Sequence, residues 1–425
     1  MQLELSKKEF RRLLDMVYIG NWILNSTRGE DRFQDYDKVE SLLFEKARQE
    51  GMGILAETYQ GETIPSRPFV EGGIHEAIME YENNVFFDIL AEDLARRDFT
   101  VNAMALSLRG ELRDPFGGRE DLKQGILRAV GDPGKRFDED ALRILRGLRF
   151  SARLGFSIEP ETAAAMERKA FLLAAIAPER LRGEAEGLLL GDRAAEVLLR
   201  WPRVLGVFLP EILPAVGFDQ RSRYHCYDVW EHTARAVGAV PPDPTLRWTM
   251  LFHDLGKPDT FTVDEDGGGH FYGHWRPGAA HAAAIMDRLR FDNQSKKDIL
   301  LLVERHDCTL PLTEKAVRKN LAKYGEVHLR RLLAVKRGDN LAQAAAYRDR
   351  QTLIDQWEAL LDAVLASEDC FSLKQLAVKG NDLTALGLRG PAVGRALDAL
   401  LDQVMEEKLP NDRGALIAYV KEELL

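Results

Sequence analysis

The stretch Lys135–Phe156 reads KRFDEDALRILRGLRFSARLGF, and the way it coils decides how the rest of the chain is read. At helical spacing Ala141, Leu142, Leu145, Leu148 and Ala152 share one face, an apolar stripe that must be buried. Glu139, Arg143, Arg146 and Arg153 fall on the other side, and Asp140 and Arg143, three apart, can reach one spot. Such a pair is commonly a solvated ion pair on an exposed face. It also matches the pairing edges of two nucleobases. Cytosine and adenine each set an exocyclic amine beside a ring-nitrogen acceptor, so a carboxylate accepts from the first and a guanidinium donates to the second. Guanine and uracil put a carbonyl where the amine should be, which leaves buried groups unpaired and is rejected strongly. An Asp/Arg pair could therefore select C and A without a nucleic-acid template.

Outward from that stretch the texture is helical, and the expected fold is a mostly α-helical, multidomain α+β protein. Ser6-x-x-Glu9 and Asp37-x-x-Glu40 look like capping boxes opening two helices. "ETYQGETIPSRPFVEGG" between them and the next helix is turn-rich, and "TVNAMALSLRGELRDPFGG" reads as a short hairpin turning at Arg109-Gly110 with a Gly117-Gly118 hinge. Beyond Pro133 helices continue to the end, broken by a Gly-rich loop from Gly267 to Gly273. The 425 residues suggest about three domains at roughly 150 residues each. A net charge of −10 argues against indiscriminate nucleic-acid binding by bulk charge, though not against a local basic surface. Three cysteines exclude a disulfide scaffold, and no apolar run approaches a membrane span. The expectation is a soluble cytoplasmic protein with no membrane partner; oligomeric state is not readable.

Four motifs occur in order: "EDLARRDFTVNAMAL" (Glu92 to Leu106), "DPFGGREDL" (Asp114 to Leu122), "EDALRILRGLRF" (Glu139 to Phe150) and "APERLRGE" (Ala177 to Glu184). Together they resemble the class II bacterial tRNA nucleotidyltransferases, the CCA-adding enzymes, over roughly Leu90 to the C-terminus. The resemblance implies addition of CCA to tRNA from CTP and ATP with Mg²⁺. It also implies that Arg96, Arg97 and Asp98 sit at the nucleotide's ribose and triphosphate, that Asp114, Gly117 and Gly118 form a hinge, and that Glu139, Asp140 and Arg143, with Arg146 alongside, form the amino-acid template. Glu179, Arg180 and Glu184 would brace that template. In that family a Gly-Gly-x-x-Arg-Asp segment and a following Asp-x-Asp hold the two Mg²⁺ ions of phosphoryl transfer. Upstream of Arg96 this chain has neither. Asp35-Tyr36-Asp37 has the spacing but no preceding glycine pair, Gly72-Gly73 is followed by an apparent helix, and Asp88 and Asp93 are too far apart on a helix to share an ion.

Seven of the nine histidines fall between His225 and His306. His232, the pair His253-Asp254 in a nearly continuous apolar run, and the distant Asp339 would bring His and Asp ligands from three helices. That order resembles the HD metal-dependent phosphohydrolases, which are found fused to bacterial CCA-adding enzymes. It implies a centre with His253 and Asp254 at its heart that holds a divalent transition metal or Mg²⁺ and hydrolyses nucleotide or 2′,3′-cyclic phosphates. His274, His281 and His306 are candidates for a second shell or ion, whereas His225 and Cys226 are expected to pack. In the tail, Gly390 before Pro391, with Arg389 and Arg395, could accept an RNA phosphate.

Five segments are thus expected. Residues 1–90 form a helical module without a family match, 91–131 a partial nucleotidyltransferase head keeping a remnant of its β-hairpin palm, and 132–215 a helical neck with the nucleotide template. Residues 216–345 form an HD domain and 346–425 a helical tRNA-binding tail. Three functions compete: a CCA-adding-family protein with a compromised polymerase head, an HD phosphohydrolase acting on RNA 3′-ends, and a non-catalytic RNA-binding protein.

Overall fold

The computed structural model describes residues 3–26, 28–29, 31–107, 110–222, 226–367, 373–406 and 408–425, without the side chains of 83, 84 and 86–88. Arg109, His225 and the side chain of Asp88 therefore lie outside the described residues. The chain divides into two units, Met1–Arg96 and Arg97–Leu425. No helix among the described residues is long and apolar enough to cross a membrane.

In the first unit the helix Lys7–Asn25 opens with the expected box, Ser6 accepting from the Glu9 amide and Glu9 accepting from the Ser6 amide. The second expected box does not form. That helix starts earlier, at Gln34, with Phe33 at its N-cap, and Asp37 sits inside the first turn. There Asp37 accepts from Arg32, Asn21 and Asn25, tertiary partners that outcompete a local cap. The turn-rich segment holds a hairpin, Ala56–Tyr59 against Glu62–Pro65. Gln60 and Gly61 both take positive φ, 51° and 88°, the backbone of a tight two-residue turn that suits the twist of paired strands. Leu14, Phe44, Ala47, Ala56 and Phe69 pack together beneath it. The helix His75–Ala95 completes the unit.

The second unit begins with the predicted hairpin, reduced to Ala105–Leu106 against Leu112–Arg113. Asp114 then accepts from the amides of Gly118 (2.7 Å) and Arg119 (2.9 Å). A Cβ on Gly118 would stand 2.1 Å from the Thr100 carbonyl oxygen, so only glycine allows this corner to close. The helix Leu142–Leu154 buries the stripe read from sequence: Ala141, Leu142, Leu145, Leu148 and Ala152 are all buried. Each large apolar side chain so buried contributes about 1.5–3 kcal/mol. That stripe belongs to one apolar core running from Phe99 through the neck helices to Ala342. The expected boundary at 215/216 is therefore no break in the core. A second cluster ties Val317, Leu321, Leu329 and Leu333 of the long helix Glu314–Leu341 to Ile354, Trp357, Leu361 and Val364 of the helix Arg350–Ala366. The tail packs its own core around Leu383, Leu400 and Leu416.

Candidate nucleotide site and metal centre

The residues expected to form a template do not lie on one continuous helix. The helix Pro133–Glu139 ends at Asp140, whose backbone is extended (φ −151°, ψ 101°), and the next helix starts at Leu142. Asp140 uses one oxygen to accept from the Leu142 amide (3.0 Å) and the other to accept from Arg180 (2.9 Å). Arg143 donates to Glu139 (2.8 Å) and to the Arg136 carbonyl (3.2 Å), and Arg136 holds the other Glu139 oxygen (2.6 Å). One turn on, Arg146 donates to the buried Asp98 (2.6 Å), which also accepts from Asn102 (2.6 Å). Glu184 accepts from Arg149 at 2.6 Å and lies 3.9 Å from Arg146. Three charge-assisted sets result: Arg136, Glu139 and Arg143; Asp140 and Arg180; and Asp98 and Arg146, with Glu184 and Arg149 alongside. Glu179 is exposed at the start of its helix. Arg96 closes the first unit, 3.7 Å from Glu92.

The acidic pair needed for nucleotide joining does not fit here. Asp35 and Asp37 stand in the first turn of a helix, and Asp37 is already neutralised by Arg32, which holds its carboxyl below the usual range. Mg²⁺ demands free carboxylate oxygens in a near-octahedral shell. Among the described residues, the groups of three or more His, Cys, Asp or Glu side chains able to hold a metal are two, and both lie in the histidine region.

Those two groups are His232, His253 and Asp339, and Asp254, His274 and His306. Helix ends do the positioning. His253 caps the C-terminus of Pro244–Phe252, His306 caps that of Asn293–Arg305, and His274 stands at the N-cap of Trp275–Arg288. His232 and Asp339 project from Val229–Ala239 and Glu314–Leu341. Gly256 permits the approach, since a Cβ there would stand 2.1 Å from the His274 carbonyl oxygen. Every Nδ1 faces a backbone carbonyl: His232 that of Ala342 (3.3 Å), His253 that of Met250 (2.7 Å), His274 that of Phe271 (2.9 Å) and His306 that of Val303 (2.7 Å). The Nδ1 atoms donate, so each Nε2 is left as a lone pair.

These lone pairs face one another, His253 to His232 at 3.3 Å and His274 to His306 at 3.0 Å. Asp254 lies between the groups. One of its oxygens is 3.2 Å and 3.4 Å from the Nε2 atoms of His253 and His232, and the other is 3.4 Å from that of His274. Asp339 is 2.9 Å from His232 Nε2. Nitrogen and carboxylate donors gathered this closely in a buried setting suit divalent cations, which His232, His253, Asp254, His274, His306 and Asp339 would hold. Burial works against a charged His253, but Asp254 and Asp339 outweigh it and raise its pKa. His306, in contrast, is pushed down to about 3 by burial and by His253. Burial also opposes ionisation of Asp254 and Asp339, yet the adjoining histidines, and Lys257 for Asp254, hold both well below the usual carboxylate range.

The structure does not bring His281 into the cluster; it pairs with Asp259 at 2.7 Å on the surface. Cys226 is exposed rather than packed, and Cys308 is half-buried and unbridged. Arg389 and Arg395 are exposed around Gly390, which precedes the helix Pro391–Met405. Sequence reasoning missed Lys257, which lies 2.7 Å from Asp254 and is signalled only by its i+3 spacing. It also missed two clefts over the cluster. One, of about 310 Å³, is lined by Lys257, Tyr272, Trp275 and Arg350; the other, of about 300 Å³, by Cys308, Lys336 and Trp357.

Comparison with known proteins agrees with this architecture. Three family models match: "Poly A polymerase head domain" over residues 34–128, "Probable RNA and SrmB- binding site of polymerase A" over 155–215, and "tRNA nucleotidyltransferase domain 2 putative" over 276–420. An A-adding tRNA nucleotidyltransferase of Deinococcus radiodurans is 35% identical over 74% of this chain and 75% of its own length. A CC-adding tRNA nucleotidyltransferase of Thermus thermophilus is 36% identical over 75% of this chain and 74% of its own. The crystal structure of the Bacillus stearothermophilus CCA-adding enzyme in complex with CTP superposes with a TM-score of 0.56 at 28% identity, over 79% of this chain and 74% of that one. The chain belongs to the CCA-adding tRNA nucleotidyltransferase family. Because the head match begins at residue 34, the expectation that residues 1–90 have no family counterpart is corrected for 34–90.

Proposed function

We propose that this chain selects CTP and ATP at the neck for work on tRNA 3′-ends in the cytoplasm, and that it does not join nucleotides by itself. The observation that carries the selection is the held acid–base set: Asp140 fixed by Arg180, and Arg143 fixed by Glu139. A carboxylate and a guanidinium held in place cost little ordering when a base arrives, and they match C and A edges. The Asp-x-Asp spacing upstream of Arg96, Asp35 to Asp37, stands in the first turn of a helix with Asp37 engaged by Arg32, which speaks against joining. Equilibrium binding of the four nucleoside triphosphates tests the selection. CTP and ATP should bind at least about tenfold more tightly than GTP and UTP, a difference of about 1.4 kcal/mol, and Arg143→Ala should erase the preference. Equal binding of all four would overturn it.

A second activity is favoured by the facing Nε2 atoms. The histidine cluster reads as an HD-type phosphohydrolase centre acting on RNA 3′-terminal or 2′,3′-cyclic phosphates. When bound, the divalent pair supplies Lewis acidity and activates water for attack at phosphorus. His232, His253, Asp254, His274, His306 and Asp339 would hold the ions, and Lys257 would orient Asp254. Protein supplied with Mn²⁺, Ni²⁺ or Mg²⁺ should hydrolyse 2′,3′-cAMP, and the double change His253→Ala and Asp254→Ala should abolish it. Turnover unaffected by the double change would refute the centre.

A further inference from the structure

The two clefts over the cluster share His306, Asp307, Asp339 and Arg350 as lining. The cations around them are mostly committed. Lys336 donates to the carbonyls of His306 (2.8 Å) and Cys308 (2.5 Å), and Lys257 donates to Gln220 (2.9 Å) while pairing with Asp254. Arg337, at the same end of the long helix, is held by Asp355 and Glu358. Arg350 is different. It is exposed, it lines both clefts, and its side chain enters no hydrogen bond or ion pair among the described residues. A guanidinium left unpaired beside a buried acidic metal cluster is placed to receive an oxyanion.

The 310 Å³ cleft also has aromatic lining. Tyr272 lines the 310 Å³ cleft and is 78% exposed. Its ring lies beside that of His270, offset-stacked at 5.2 Å between centroids and only 7° from parallel. His270 is itself fixed by Asp264 at 2.9 Å. The turn at Gly273 (φ 72°) separates this platform from the ligand His274 by a single residue. A tyrosine braced by a parallel ring and still largely exposed can stack a planar base. The cleft volume lies at the lower end of the range for small-molecule sites.

We propose that this cleft is a nucleoside-phosphate subsite, in which Tyr272 stacks the base and Arg350 grips the phosphate presented to the cluster. The proposal rests on reading the cluster as a phosphohydrolase centre. The base supplies affinity and the phosphate supplies register, so the preferred substrates carry a nucleobase on the phosphate-bearing ribose.

Paired kinetics on the full chain test it, using 2′,3′-cAMP and glycerol 1,2-cyclic phosphate, which offers the same cyclic phosphate without a base. Tyr272→Ala should raise KM for 2′,3′-cAMP about tenfold with kcat within about twofold, a loss of about 1.4 kcal/mol, and leave the glycerol compound unchanged. Tyr272→Phe should behave as the unaltered protein. Arg350→Ala should raise KM for both substrates, with Arg350→Lys intermediate. If the protein hydrolyses both compounds and Tyr272→Ala leaves KM for 2′,3′-cAMP unchanged, the subsite is overturned while the phosphohydrolase reading stands. If it hydrolyses neither, that reading falls, and calorimetric binding of 2′,3′-cAMP in an Arg143→Ala background decides the subsite. A tenfold loss in both Tyr272→Ala and Arg350→Ala supports it, and undiminished binding overturns it.

Discussion

Glu40 sits against the polar network of the first unit, where burial pushes its carboxyl up to about 7 despite a hydrogen bond from Asn21. Between pH 4.5 and 7 the folded unit keeps a proton that the unfolded chain has released. Its stability is therefore highest on the acid side and declines as pH rises to about 7. Because Glu40 is not fully enclosed, the loss is about 1–2 kcal/mol rather than the full value of the shift. Glu40→Gln should stabilise residues 7–50 by that amount at pH 8 and change nothing at pH 4.5, as read by amide hydrogen exchange. A similar gain at both pH values would mean that packing, not charge, is responsible. At the neck, Arg180 and Asp140 show the same dependence on a distant partner. Arg180→Ala should leave the fold intact, since the pair is half exposed, but lower the preference for CTP and ATP several-fold.

At the scale of elements, the approach of Trp275–Arg288 to the segment around Gly256 sets the metal centre. Gly256→Ala would drive a methyl group into the His274 carbonyl and the Gly278 amide, so that helix must move. We expect a cost of about 2–3 kcal/mol and loss of one of two bound ions, measured by metal analysis after dialysis. Retention of both ions would show that the helix is not positioned this way. The sequence was informative where spacing alone decides an outcome. The buried stripe of Leu142–Leu154, the Ser6 box and the Pro391 start followed from periodicity and capping chemistry. His232, His253, Asp254 and Asp339 were found by their order along the chain. What escaped was tertiary. Asp37 is claimed by Arg32 and two asparagines, and the hairpin at Gln60 turns on a non-glycine residue at positive φ. His281 is seven residues past His274, which suggests one helix face, but His274 stands at the N-cap and takes its direction from the turn.

At the scale of the whole molecule, the chain carries a neck whose Glu139, Asp140 and Arg143 are braced, while upstream of Arg96 its Asp-x-Asp spacing, Asp35 to Asp37, starts a helix and is engaged by Arg32. The head match over 34–128 shows that the family signature reaches into the first unit, although no single motif there announces it. The signal lies in the sum of many weak positions, which a reading for glycine pairs and acidic doublets does not register. The histidine cluster places two groups of side chains able to hold a metal beside a core continuous with the neck. The central proposal is that nucleotide selection survives here without nucleotide joining. Its most direct test is to incubate the purified protein with Mg²⁺, labelled CTP and ATP, and a tRNA lacking its terminal CCA, under conditions in which CTP binding has been measured. The account predicts bound CTP and no label in the tRNA; label entering the tRNA 3′-end at many turnovers per protein would contradict it.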